Sequence, residues 1–426
     1  MSGGIRIEKQ KDNTPTSWKL AAIDEICTLG GGKTPSKSNE DNWHGSIPWV
    51  SPKDFDGVKL DETENHLTQH GVSNSSINLY ESGNIAMVVR SGVLKHSLPV
   101  AQLKSKMSVN QDIKILKPDN KKIISDYFLN ALLYEADRIR ASCVKTGTTV
   151  ESVETAFLKS YRLPLPPLSE QRRIAEILST VDELIQQTDA IIEETERLKR
   201  GIMQDLLTQG IGHESFKLAS FGSVDSKIPA KWTICKLEDI AQIKRGASPR
   251  PIGDSKFFGG DIGWIRISDI NASFKYITNS SEYLSDLGVS KSVRVHPGEV
   301  LLSISASVGE CVIVDFEACI HDGIVAIRNL SDDLNNEFLY YYLTSSRISF
   351  ATKGQTGTQS NINSNLVKNI EILIPPLPEQ QQIAEILSTV DDTIHKEQKT
   401  KTELKALKRG LMQNLLTGKV RVPVEA

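Results

Sequence analysis

One stretch of this chain is written twice. Pro166-Pro167-Leu168-Ser169-Glu170-Gln171 followed by Ile174-Ala175-Glu176-Ile177-Leu178-Ser179-Thr180-Val181-Asp182 returns 209 positions later as Pro375-Pro376-Leu377-Pro378-Glu379-Gln380 followed by Ile383-Ala384-Glu385-Ile386-Leu387-Ser388-Thr389-Val390-Asp391. The register holds without a gap through Leu198-Lys199-Arg200-Gly201 and Leu407-Lys408-Arg409-Gly410 to Leu206-Leu207-Thr208 and Leu415-Leu416-Thr417. No other feature constrains the fold as strongly, because any architecture must use the same element in two places.

Both copies read as long helices. Ile177, Val181, Leu184, Thr188, Ile191, Thr195, Leu198 and Ile202 step by threes and fours, the spacing of a coiled-coil seam, and Ile386, Val390, Leu404, Leu407 and Leu411 give the second seam. Pro378 suits a first helical position, and the Glu-Gln pairs that follow suit the exposed amides of a first turn. Gly210 and Gly418 mark the two ends. From Ser169 to Leu207 such a helix spans roughly 58 Å at 1.5 Å per residue, which is long for a lone element. Each copy therefore predicts the other as its antiparallel partner, with the polar positions Thr188 and Glu397 meeting in the middle to set register.

The repetition reaches upstream of each helix. Trp18, Asp24-Glu25-Ile26, Gly32 and Pro35 match Trp232, Glu238-Asp239-Ile240, Gly246 and Pro249, and Ile47-Pro48-Trp49-Val50 matches Ile262-Gly263-Trp264-Ile265. Short β-branched runs such as 85–89, 113–116, 300–304, 311–314 and 324–327 predict strands, and 126–141 and 336–346 have helical spacing. The fold class is α/β plus coiled coil. Two α/β domains, 1–165 and 213–374, alternate with two long helical segments, 166–212 and 375–426, in a pseudo-twofold tandem repeat. Between the shared landmarks the domains differ strongly, whereas the helices do not. That contrast predicts a common structural task for the helices and two different surfaces to be read by the domains.

Composition narrows the function. Residues 1 to 16 are polar and no apolar run reaches membrane-spanning length, so a cytoplasmic chain with no membrane contact is expected. The five cysteines are scattered without a CxxC pair, hence reduced and structural, and no metal site is expected. Residues 1–165 carry 21 Lys+Arg against 19 Asp+Glu, and 213–374 carry 16 against 18, so a nucleic-acid surface has to be a local patch. Gly30-Gly31-Gly32-Lys33-Thr34 looks like the tail of a phosphate-binding loop, but Pro35 falls where a helix should begin, and the matching stretch in the second half has no lysine after its glycine. No nucleophile elbow or Cys/His constellation recurs between the halves, and no catalytic residue is assigned.

The loops shared by both halves carry groups suited to DNA. Lys33, Thr34 and Lys37 correspond to Lys244, Arg245, Ser248 and Arg250, mixing cations for phosphates with hydroxyls. Arg90, Ser91 and Lys95 in the first half, and Gln355, Thr356, Thr358, Gln359 and Asn361 in the second, add side chains able to make bidentate base contacts.

With those residues in place the whole chain resembles the specificity subunit of type I restriction-modification enzymes. The helix entrances Pro166-Pro167-Leu168-Ser169-Glu170-Gln171 and Pro375-Pro376-Leu377-Pro378-Glu379-Gln380 carry the resemblance, together with the exits Leu198-Lys199-Arg200-Gly201 and Leu407-Lys408-Arg409-Gly410. Asn110-Gln111-Asp112 and Thr356-Gly357-Thr358-Gln359-Ser360-Asn361 look like parts of that family's target-recognition domains, although the first half departs at Thr146-Gly147-Thr148-Thr149. The resemblance implies that each domain reads one half of an asymmetric bipartite site in double-stranded DNA and that the helix pair sets the spacer. It also implies two methyltransferase subunits and two motor-nuclease subunits as partners, which would bring S-adenosylmethionine, ATP and Mg, with no cofactor and no catalysis on this chain. Two other readings stay open on the residues alone: a coiled-coil adaptor with protein-only partners, and a nucleotide hydrolase using Lys33.

Overall fold

The computed structural model describes residues 15, 17–145, 150–221, 224–345 and 363–423. The chain forms two compact units, Met1–Asp189 with Lys399–Ala426, and Ala190–Gln398. Each unit therefore holds one domain plus about half of each long helix.

The two domains share a scaffold. In the first unit a five-stranded sheet runs in the order Cys27–Gly31, Ile113–Pro118, Ile85–Val88, Val100–Leu103, Lys59–Leu60, antiparallel except at the last, parallel edge pair. In the second the order Gln242–Arg245, Ile324–Arg328, Val300–Ser303, Cys311–Val314, Tyr276–Ile277 repeats it. Successive strand residues point to opposite faces. Ile85 and Met87 pack with Phe128, Leu132 and Ile139 of the helix Ser125–Cys143, whereas Ala86 and Ile115 pack with Val50 and Val109 of a second small sheet. In the second unit Val300 and Leu302 meet Phe338 and Leu339, while Leu301 and Ala326 meet Ile265 and Ile320. A sheet covered on both faces needs unbroken apolar strands, which is why these strands read as continuous runs and not as alternation.

Each domain is closed by a strand clasp next to its helix entrance. Lys19–Ala22 pairs antiparallel with Arg162–Leu165, and Thr233–Lys236 with Glu371–Ile374. There the Glu-Gln pairs do something other than cap a first turn. The fully buried Gln171 accepts the Ile124 N–H at 2.8 Å and donates to the carbonyls of Lys122 at 3.0 Å and Pro166 at 2.8 Å. Gln380 repeats this with Asn335 N at 2.9 Å, Asp333 O at 2.7 Å and Pro375 O at 2.9 Å. The glutamine is thus a rivet between helix and domain, and its amide geometry supplies both a donor and an acceptor in one group. Gln171→Leu keeps the volume but leaves one N–H and two carbonyls unpaired. The first unit should lose about 2–3 kcal/mol, read as a lower thermal midpoint.

The neighbouring glutamate fastens the junction from the other side. Glu170, almost fully buried, accepts from Trp18 Nε1 at 3.0 Å and from Arg421 Nε and Nη2 at 2.6 and 2.8 Å. Glu379 accepts from Trp232 Nε1 at 3.1 Å, His213 Nε2 at 2.7 Å and the Ile211 N–H at 3.0 Å. In each unit the start of one long helix is tied to its domain's tryptophan and to a side chain just beyond the end of the other helix, Arg421 in the first and His213 in the second. Gly210 and Gly418 make those exits possible. Their φ values of +68° and +71° favour glycine, and a Cβ at Gly210 would lie 2.4 Å from Glu379 Oε1.

The helices run Leu168–Gln209 and Leu377–Leu415 and pair antiparallel inside each unit. In the first unit Lys408 Nζ contacts both Asp182 oxygens at 2.6 and 2.8 Å, and Lys401 pairs with Asp189. In the second, Lys199 Nζ lies 2.5 Å from Asp391 Oδ1. These pairs, 182 with 408, 189 with 401 and 199 with 391, all sum to 590, so one register serves both units. The register is set by Asp-Lys pairs and not by Thr188 and Glu397. Thr188 stands opposite position 402, and its hydroxyl donates to the Leu184 carbonyl at 2.8 Å.

The seam expected from spacing needs a matching correction. Leu184, Ile191, Leu198 and Leu407 are 43%, 48%, 54% and 50% exposed, so they do not line the pair. Val181 is buried, Ile177, Ile202, Ile386, Val390, Leu404 and Leu411 are half-buried, and the covered stripe continues through Ile185, Ile192 and Lys199, one position further along. The reason is that each helix must face its domain as well as its partner, which turns the buried stripe away from the most regular apolar line. Among the described residues no helix is long and apolar enough to cross a membrane.

Candidate nucleic-acid interface

One singled-out loop of each half, 33–37 and 244–250, packs against a loop of its own domain that follows a strand of the second small sheet. In the first unit the loop after Cys27–Gly31 turns back on the 109–112 segment, where Lys33 N–H donates to the Val109 carbonyl at 3.1 Å. A Cβ on Gly32 would sit 1.9 Å from the Val109 carbonyl oxygen, so only glycine allows this approach. The Thr34 hydroxyl bonds the Gln111 side chain. Beside it Asp112 Oδ1 holds Arg90 Nε at 2.6 Å, while the Asp112 carbonyl takes the N–H groups of Val89 and Arg90 at 2.8 and 3.2 Å. Lys33, Thr34, Lys37 and Arg90 are exposed.

Not every expected residue joins that group. Ser91 caps the short turn Gly92–Lys95, accepting from Val93 N at 3.4 Å. Lys95 is 3.9 Å from Glu151, and its carbonyl receives Arg140 Nη1 at 3.1 Å, on the far side of that turn. The phosphate-loop reading of Lys33 also fails on geometry. Gly30 and Gly31 lie in a strand, and the next element is the single turn Glu40–Asn42, so no helix N-terminus faces the lysine.

The second unit repeats the scaffold with other side chains. Gly246 approaches the His321 carbonyl as Gly32 approaches that of Val109, and a Cβ there would meet it at 2.2 Å. Asp322 occupies the place of Gln111. Its Oδ1 accepts from Ser248 Oγ at 3.0 Å, its Oδ2 from Arg250 Nη2 at 2.7 Å, and its carbonyl from Arg245 Nε at 2.8 Å. Lys244 and Arg250 are exposed beside it. Gln355, Thr356, Thr358, Gln359 and Asn361 lie outside the described residues.

Electrostatics make this second cluster a fixed array of cations. Burial works against the Asp322 carboxylate, but the Ser248 hydrogen bond and the Arg250 guanidinium outweigh it and hold the group below the usual carboxylate range. The His321 imidazole is pushed down by burial first and then by Arg266, Arg250 and Arg245, against the pull of Asp322. It is therefore neutral at pH 7, and Nδ1 accepts the Gly323 N–H at 2.9 Å, so its 3.1 Å approach to Asp322 is not an ion pair. The sign follows from linkage. The unfolded chain takes up a proton below about pH 6.5 before the folded one does, so this site loses stability as pH falls through that value towards the folded pKa.

Sequence reasoning did not place Gln111, Asp322 or His321 in the site. Asn110-Gln111-Asp112 and His321-Asp322-Gly323 share no residue at matched positions, and only strand register aligns them. Val50 O receives Asn110 N at 2.9 Å as Ile265 O receives His321 N at 3.0 Å. The arrangement in both units is a tethered Arg or hydroxyl group beside an exposed loop. Arg90, Arg245 and Arg250 are each tethered through one side of an otherwise exposed guanidinium, whose further N–H donors suit base edges and phosphates.

A family model described as the type I restriction modification DNA specificity domain matches this chain twice, over residues 15–197 and 229–406. The chain is 32% identical over 317 residues to the putative type I restriction enzyme MjaX specificity subunit of Methanocaldococcus jannaschii, spanning 73% of this chain and 72% of that protein. It is 26% identical over 428 residues to the MjaVIII specificity subunit of the same organism, across 96% and 94% of the two chains. The S subunit of a type I restriction-modification system from M. genitalium shares the fold with a TM-score of 0.61 at 15% identity, covering 96% of this chain and 98% of the other.

Proposed function

The chain belongs to the type I restriction-modification DNA specificity family, and on that premise we propose that it is the sequence-reading subunit of such an assembly. Each domain reads one half of a bipartite site in double-stranded DNA, through the clusters around Gln111 and Asp322. The observation that carries this is the exchange of side chains on a constant scaffold. Thr34 with Gln111 in one unit and Ser248 with Asp322 in the other occupy equivalent places, so the two half-sites differ and the site is asymmetric.

The long helices set the spacer between half-sites and offer a docking surface to two methyltransferase subunits, with two motor-nuclease subunits completing the complex. The chemistry belongs to those partners. S-adenosylmethionine, ATP and Mg act there, and this chain contributes recognition without catalysis. An adaptor with protein-only partners is the weaker reading, because a coiled coil has no use for two different clusters of tethered arginines.

Exchange of residues 1–160 for a related domain should change one half-site and leave the other intact, as read by sequencing methylated adenines in cells carrying the complete system. Asp322→Ala frees Ser248 and Arg250 from their common carboxylate, while Arg245 keeps the backbone carbonyl of residue 322. Specific binding should fall about 10- to 100-fold through the second half-site only. Equal loss on every DNA sequence, or a change in both half-sites, would count against the assignment.

A further inference from the structure

The second unit contains a cavity of about 520 Å³ that the reading above leaves unused. Its lining includes Ile252, Phe258, Trp264, Arg266, Glu282 and Tyr283, it is open to solvent on one side, and the volume falls within the roughly 300–1,000 Å³ of small-molecule sites. Three features separate it from an ordinary surface cleft. Trp264 is 1% exposed, and its indole N–H has no hydrogen-bond partner among the described residues. An indole can only donate, and this N–H, itself covered in the free protein, becomes paired only when an acceptor is brought to it. The matching tryptophan in the first unit has no such vacancy, since Trp49 Nε1 donates to the Lys33 carbonyl at 3.0 Å.

The second feature is a polar pair on the same wall. Arg266 Nη1 lies 2.7 Å from Glu282 Oε1, which places donors and an acceptor side by side, the pattern presented by the edge of a base. The third is an aromatic face. Tyr283 is 42% exposed, and Gly259 beside it, at φ +83°, has no atom within 4 Å of where a Cβ would point. The cavity also adjoins the recognition cluster. Ile252 follows Arg250 by two residues, and the Trp264 ring lies 5.5 Å from His321 and 5.6 Å from the Arg266 guanidinium.

We propose that this cavity receives one nucleobase of the bound DNA, turned out of the duplex, with its face on Tyr283 and its edge on Arg266, Glu282 and the Trp264 N–H. The proposal rests on the DNA-reading assignment and deepens it for the second half-site. Unstacking a base is unfavourable, and stacking on an aromatic ring together with edge hydrogen bonds offsets it.

The test uses the full chain with its methyltransferase partner and a duplex carrying the site, in which single abasic nucleotides are scanned through the half-site read by residues 213–374. At one position, removing the base and Tyr283→Ala should each weaken binding about tenfold, and combining them should add nothing further. Trp264→Phe keeps an aromatic side chain, deletes the N–H and should weaken binding about threefold at that same position, so a poorly folding Tyr283→Ala still leaves a reading. Losses that add at every position overturn the proposal. So does a Tyr283→Ala protein that keeps its DNA affinity but binds the methyltransferase less well, since a protein side chain then fills the cavity. Absence of any sequence preference in the unmodified complex defeats the DNA-reading assignment and this proposal together, whereas preference with additive losses defeats this proposal alone.

Discussion

Asp391→Ala should destabilise the second unit by about 3–5 kcal/mol, the largest single-residue effect expected in this chain. The carboxylate is 1% exposed, accepts from Tyr341 Oη at 2.8 Å and lies 2.5 Å from Lys199 Nζ. The Lys199 contact is an ion pair, charge on charge. Without the carboxylate, the largely covered Lys199 ammonium is left beside the rings of Phe274 and Tyr341, 5.9 and 5.7 Å away, which do not replace a counter-charge in a site with little water. Removing both charges together, as in Asp391→Ala with Lys199→Met, should recover much of the loss, because most of the penalty comes from the stranded ion, while the lost Tyr341 hydrogen bond is common to both variants. The equivalent Asp182–Lys408 pair is 21% and 15% exposed, so Asp182→Ala should cost less. Hydrogen exchange of the two units measures this directly. Protection should fall in residues 190–398 after Asp391→Ala, and equal loss in both units would contradict it.

The second large effect concerns the spacer. Lengthening the helices should move the preferred spacing of the two half-sites while leaving both half-sites unchanged. The register dictates where additions are tolerated. Residues 210–213 are held by Glu379, so an insertion at 208–212 would pull Ile211 and His213 from their acceptor. Four residues placed between Asp189 and Ala190, with four more between Thr400 and Lys401, keep all three Asp-Lys pairs intact. They add about 6 Å at 1.5 Å per residue, close to two base pairs at about 3.4 Å each. Methylation mapping across a library of spacers should show the preferred length increased by about that amount. A changed half-site with unchanged spacing would end the idea that the helices measure distance.

Much of this protein could be read without coordinates, and the residues show why. The repeat announces two helices of equal build, glycine marks both exits, and helices are found at Leu168–Gln209 and Leu377–Leu415 with Gly210 and Gly418 in left-handed conformations just beyond them. Apolar runs at 85–89 and 300–304 announce the central strands, found at Ile85–Val88 and Val300–Ser303. These features depend on near neighbours in sequence, where period, caps and glycine act locally.

What the sequence did not determine depends on neighbours brought together only by folding. Glu170 and Glu379 looked like first-turn acids until Trp18 with Arg421, and Trp232 with His213, closed around them. Leu184, Ile191 and Leu198 formed the most regular apolar line, yet the buried stripe falls one position later because the domain competes with the partner helix for each face. Gln111 and Asp322 become equivalent only through strand register, since no residue identity links them. Period and repetition are properties of the chain itself and fix its elements. Which buried polar group meets which, and which face of a helix is covered, depends on contacts between residues as far apart in sequence as Glu170 and Arg421, 251 positions, so only the tertiary structure decides them.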